Sequence, residues 1–257
     1  MQFKSRRDFK VCHYYPVNRT FLPLVVSLVV PLASCEQGGA DAGTGSSEQA
    51  PAGGQAQINE STASPAEVVA HYAKLVSTTY NDALAHAKVM QGDVNAFLAE
   101  PTPELMQKAR DSWTAARLPY LQTEVFRFYE GPIDDEDGPE GLLNAWPMDE
   151  AYIDYVEGNA TSGLVNNTTD FPEITAELIE GLNEKDGEAN ISCGYHAIEF
   201  LLWGQDFSAE GPGDRAYTDY TTGDNADRRG DYLRAVTNLV VAKLEGLVAE
   251  WMPEEEN

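Results

Sequence analysis

The sequence predicts an all-α protein, an up-down helical bundle of the four-helix type with a long loop-rich excursion, and three observations predict it. Apolar residues recur at three- and four-residue steps through two long segments, one early and one at the end of the folded part. Two segments open on a hydroxyl residue followed directly by proline, the signal of a capped helix start. Nowhere do alternating apolar residues between turn signals make a strand.

Ser64-Pro65-Ala66-Glu67 opens the first helix, and Val68, Tyr72, Leu75, Val76, Ala83, Ala87, Met90, Val94 and Phe97 mark one face of it to about Ala99. Thr102-Pro103-Glu104 opens a second, reaching about Tyr129. Pro119 inside it removes a backbone bond and crowds the preceding turn, which predicts a kink or break near Arg117. The loop GPIDDEDGPEG leads to a shorter helix from about Asp149 to Val156. Phe171-Pro172 opens another to Leu182, and Asn190 starts the one that holds His196. The last helix is the clearest: Leu233, Val236, Val240, Leu244, Leu247 and Trp251 step by 3, 4, 4, 3 and 4.

The N-terminus reads as an address. A basic segment precedes the apolar run FLPLVVSLVVPLAS, which is too short to span a bilayer comfortably but suits a signal-peptide core. Leu32-Ala33-Ser34-Cys35 looks like a bacterial lipobox, so residues 1–34 are read as the leader and Cys35 as the lipidated first residue. Lys4-Ser5-Arg6-Arg7-Asp8-Phe9-Lys10 resembles a twin-arginine signal, while the spacing to the apolar core suits an ordinary basic leader; both routes stay open. Residues 35–63, rich in Gly, Ala, Ser, Gln and Glu, form a tether, and residues 64–257 the helical domain. The expected place is a lipoprotein facing the periplasm, on the outer rather than the inner membrane. After processing Cys193 is the one thiol left free, so the fold rests on its core and not on a disulfide.

The net charge is −25, and residues 1–20 carry Lys4, Arg6, Arg7, Lys10 and Arg19 against Asp8, so without them it is about −29. Such a surface repels phosphate backbones and excludes nucleic acid as a partner. It suits cations, cationic partners or plain solubility.

One stretch points to chemistry. In Gly194-Tyr195-His196-Ala197-Ile198-Glu199 the imidazole and carboxylate stand three apart on a helix, so both face one side and can chelate a divalent ion, iron or zinc. The plainer reading is a histidine hydrogen-bonded to a glutamate inside a core. Trp113, Arg117, Tyr120, Glu124 and Arg127 step by 4, 3, 4 and 3 along the second helix, a stripe that lines a cleft or forms an exposed salt-bridged face. Glu124, with Asp206 or Asp214 after the motif, would complete a metal site of His196 and Glu199.

The runs SWTAARLPYLQTEVFRFYEGPID, LLNAWPMDEAYIDYVEG and SCGYHAIEFLLWGQD resemble the imelysin-like family, in its iron-regulated-protein branch, from about Pro65 to Trp251. The family's G-x-H-x-x-E motif falls on Gly194, His196 and Glu199. The resemblance implies a helical protein of two related bundles, exported and linked to iron uptake, with some members described as metallopeptidases. This sequence stops at Asn257, after the first bundle's last helix, so the expectation is a truncated product, a gene split in two, or a form that pairs with a partner chain supplying the second bundle.

Three functions follow. The first is a tethered binding protein for a metal ion or a metal-bearing ligand. The second is a zinc peptidase, which needs three protein ligands, an open position for water and a general base. HExxH is absent, and His71 and His86, fifteen apart on one helix, lie more than about 20 Å from each other. Cys193 is either a third ligand or a buried structural thiol, and no catalytic residue is assigned. The third is an interaction scaffold, which a large exposed apolar patch would support.

Overall fold

The computed structural model describes residues 63–252. The leader, Cys35 and the tether up to residue 62 lie outside the described residues. Helix α1 (Pro65–Ala99) begins where the sequence places it: Ser64 Oγ accepts from the Glu67 N–H and the Glu67 carboxylate accepts from the Ser64 N–H at 2.7 Å, closing a capping box. From Val76 onward its apolar stripe is buried, through Tyr80, Ala87, Met90, Val94 and Phe97. Val68, Tyr72 and Leu75, which share the period, are exposed instead. The stripe outruns the core.

Helix α2 (Pro103–Gln122) is capped by Thr102, whose Oγ1 accepts from the Leu105 N–H. It runs unbroken through Arg117 and past a buried Pro119, then tightens into a 3₁₀ turn, Thr123–Phe126, well short of Tyr129. A proline near a helix end costs few bonds, so the break comes after it. Helix α8 (Ala226–Glu250) buries Leu233, Val236, Val240, Leu244 and Leu247, and α1 packs along both α2 and α8. Replacing Leu244 by Ala should cost about 2–5 kcal/mol in urea denaturation. Deleting residues 36–60 should leave the melting temperature nearly unchanged. The reverse order would refute a fold that starts at Ser64.

Between α2 and α8 the chain makes short helices: α3 (Glu140–Leu143), α4 (Glu150–Ile153), α5 (Gly163–Asn166), α6 (Ala176–Leu182) and α7 (Gly194–Trp203). Three starts or lengths differ from expectation. Asp149 caps α4, which ends at Ile153 rather than Val156. Thr175, whose Oγ1 accepts from the Leu178 N–H, opens α6 in place of Phe171-Pro172. Asn190 and Ser192 spend their polar groups on Lys185, Ile179 and Asn183, so α7 begins only at Gly194.

The excursion is pinned to α8 by arginine. Arg228 donates to the carbonyls of Leu164, Val165, Phe171 and Pro172. Arg229 and Arg215 converge on the buried Asp154 carboxylate at 2.6 and 2.7 Å. No strand forms among the described residues beyond one isolated bridge between Val156 and Asn159. No helix among them is long and apolar enough to cross a membrane.

Candidate functional site

Helix α7 has two faces. Tyr195, Ala197, Ile198, Leu201 and Leu202 are buried in the core, which turns His196 and Glu199 outward on consecutive turns. The helix is pressed against α3 at its first residue: Gly194 has φ 89°, and a Cβ there would lie 2.7 Å from the Leu143 carbonyl oxygen. Only glycine fits such an approach.

His196 Nδ1 and Glu199 Oε2 are 3.0 Å apart, and the two side chains are 19% and 44% exposed. The pair is reachable from solvent yet not freely hydrated. It opens on a cavity of about 470 Å³ walled by Trp113, Trp146, Met148, Phe200 and Trp203, with Glu150 and Asp206 as further acids. The Trp146 ring lies 4.9 Å from the imidazole. Trp113 is held by its indole N–H, which donates to the Tyr195 carbonyl at 2.9 Å, and packs edge-on against Trp203. Arg110, beneath Trp203, donates to the carbonyls of Leu202 and Arg215 and so fixes the end of α7.

The other expected site residues separate. Arg117 stands behind the pocket wall among the rings of Trp113, Tyr120 and Tyr195, and donates to Asn144 Oδ1 at 2.7 Å. It stiffens the wall and does not face the pocket. Glu124 does not join the pair. Because α2 ends at Gln122, Glu124 sits in the 3₁₀ turn, where both its oxygens accept from Arg127 Nη1 at 3.1 Å. Arg127 also binds Glu140, and these two border a separate cavity of about 280 Å³ with Glu184. Burial raises the Glu140 carboxyl above the usual range, and Arg127 only partly opposes this. Asp214 borders a third cavity, about 600 Å³, with Tyr155, Phe207 and Arg215. Cys193 is buried, and burial pushes its thiol up to about 12, so it stays a protonated core side chain rather than a ligand.

Among the described residues no group of three or more His, Cys, Asp or Glu side chains is placed to hold a metal ion. The structure therefore brings together His196 and Glu199, with Asp206 on the same pocket, and leaves Glu124 and Asp214 apart. Two donors held cis on one octahedral ion, at about 2.1 Å each, are about 3.0 Å from one another. The pair has that spacing, which is equally that of the hydrogen bond it makes in this structure, and it does not build a complete metal centre among the described residues.

Trp146, Met148 and Glu150 have no helical period to announce them, since they come from a loop and a four-residue helix. The available signal was their place inside the run LLNAWPMDEAYIDYVEG.

A model of the imelysin family matches residues 76–257. Iron-regulated protein A of the cyanobacterium Synechococcus elongatus is 33% identical over 76 residues, which is 30% of this chain and 20% of that protein. Among solved structures, a candidate iron-regulated protein A precursor from Parabacteroides distasonis superposes with a TM-score of 0.49 at 22% identity, over 73% of this chain and 46% of that one. The chain thus spans a fifth of the curated relative and under half of the solved one.

Proposed function

Because this chain belongs to the imelysin family, we propose that it is an exported, lipid-anchored binding protein for a metal-bearing ligand, with His196 and Glu199 as its donors to the metal. The carrying observation is the solvent-reachable pair, 3.0 Å apart, at an aromatic pocket that offers no complete ligand set. Tryptophan walls suit an organic chelate better than a bare hydrated ion, and the acids Glu150, Glu199 and Asp206 favour one of positive charge. The cyanobacterial relative is named for regulation by iron, which makes an iron-bearing ligand the first to try. The leader and lipobox support a periplasm-facing anchor, on the outer membrane. A zinc peptidase would need a third protein ligand, and among the described residues none is placed with the pair to hold a metal ion.

The test is calorimetric titration with zinc, iron(II) and a cationic iron(III) bis-hydroxamate that leaves two positions open. The chelate should bind one to one, and at least about tenfold more tightly than either bare ion, a difference of roughly 1.4 kcal/mol. His196→Ala and Glu199→Ala should each remove that binding while helicity stays. Equal binding by wild type and His196→Ala would make the pair a structural hydrogen bond. Tight binding of bare ions only after a second chain is added would instead support a partner that completes the site.

A further inference from the structure

The period of α1 continues past the core, and the residues it leaves bare gather at one pole. At about 100° per residue, Val68, Val69, Tyr72 and Leu75 fall within an arc of about 120°, and all four are exposed. The Tyr72 ring meets those of Phe126, Tyr129 and Trp251 at 5.8, 6.5 and 6.3 Å. These contacts place the start of α1, the turn after α2 and the end of α8 together. At the same pole stand Val125 and Met252, both exposed, and Phe128, which is 81% exposed.

Phe128 is the least expected of these. Its φ is 71°, a left-handed backbone that a bulky residue rarely adopts. The Asp134 carboxylate holds its N–H, and the Arg127 guanidinium lies 4.9 Å from its ring. Strain that keeps an aromatic side chain in water gives the isolated fold nothing, and such strain gathers where a surface is used.

We propose that this pole seats on the lipid bilayer, with Val68, Val69, Leu75, Val125 and Phe128 entering the interface and Tyr72 at its edge. The choice of occupant rests on the lipid-anchor reading of Cys35 and on where the fold begins. Residue 35 precedes the described chain by 28 residues. The chain joins the fold at Ser64, beside the patch. An anchor attached on that side of the fold makes binding of this pole to the membrane an intramolecular event. Aliphatic side chains flanked by tyrosine and tryptophan match the chemistry of that interface. Glu67, Glu130 and Glu250 are exposed in the same segments and outnumber the exposed Lys74, so the contact is apolar insertion rather than attraction to anionic lipid.

The experiment uses the exported chain carrying Cys35→Ser, mixed with phosphatidylcholine vesicles at millimolar lipid and followed by flotation. It should partition onto the vesicles, and added phosphatidylglycerol should weaken it. Val69→Asp with Phe128→Asp should lower the partition at least about tenfold without altering the circular dichroism, since both side chains lie outside the core. A chain that stays in solution at every lipid concentration overturns the proposal. So does a patch that proves to join two copies, seen as a dimer by light scattering that the double variant dissolves. Intact mass of the wild type reports on the anchor separately. A lipidated wild type whose unanchored form ignores vesicles sinks this inference alone; an unlipidated wild type that still binds vesicles sinks the anchor alone.

Discussion

Replacing Asp154 with Ala should destabilise the fold more than any other single change considered, by about 3–5 kcal/mol, out of the roughly 5–15 kcal/mol that holds a domain together. Asp154 is 0% exposed. Its Oδ2 accepts from Arg215 Nη1 at 2.7 Å and Arg229 Nε at 2.6 Å, and its Oδ1 from Arg229 Nη2 at 3.0 Å and Asn166 Nδ2 at 3.2 Å. Removing the carboxylate leaves two buried guanidinium groups without their shared anion, which is why the loss exceeds what one hydrogen bond contributes. The effect should reach the pocket, because the Arg215 N–H donates to the Trp203 carbonyl at the end of α7. Burial by itself would raise the Asp154 carboxyl, but the Arg229 hydrogen bond and the charges of Arg215 and Arg229 outweigh it and hold it below the ordinary value. A depressed folded pKa gives stability that is present above the unfolded pKa, about 3.9, and lost as pH falls through the folded one. Urea titrations in steps from pH 7 downward should therefore show wild type and Asp154→Asn far apart at pH 7 and converging below about pH 4. A constant gap across that range would mean that shape, not charge, makes Asp154 matter.

The contrast between this network and the helices shows what the sequence could and could not announce. Helices α1 and α8 are legible because each buries a stripe whose period is written in neighbouring residues, and the capping box at Ser64 is complete within four positions. Asp154 lies 61 residues from Arg215 and 75 from Arg229, and nothing local marks three charged residues as one buried unit. The same limit applies to the site. His196 and Glu199 stand three apart on one helix, so their pairing could be read directly; the pocket that gives them a setting is assembled from Trp113, Trp146, Glu150 and Asp206 on different elements. Glu124 was placed with them by a helical period that in fact stops at Gln122. Val68, Tyr72 and Leu75 illustrate the opposite error, since a period reports an apolar face and is silent on what covers it.

Gly194→Ala should cost about 2–4 kcal/mol and take the proposed metal-ligand binding with it, whereas Gly246→Ala should stabilise by about 0.4–1 kcal/mol. Both glycines lie within helix ranges, α7 and α8, and differ in what an added methyl group meets. At Gly246 there is nothing within 4 Å, so alanine only reduces the freedom of the unfolded chain. At Gly194 the backbone is at φ 89°, which strains any L residue, and the new Cβ would lie 2.7 and 2.8 Å from the Leu143 carbonyl group and 3.1 Å from the Leu142 oxygen. Those are backbone atoms and cannot swing aside, so α7 must back away from α3. His196 is two residues along, and Trp146, which covers it, follows α3 by three. The imidazole and its aromatic cover would separate. The glycine of the G-x-H-x-x-E motif is on this account a spacer that lets two elements touch, and it contacts no ligand. Urea denaturation of both variants, with the iron(III) bis-hydroxamate titration of each, checks the argument. If Gly194→Ala kept wild-type stability but lost binding, the close approach to Leu143 would be absent and the glycine would have to face the ligand itself.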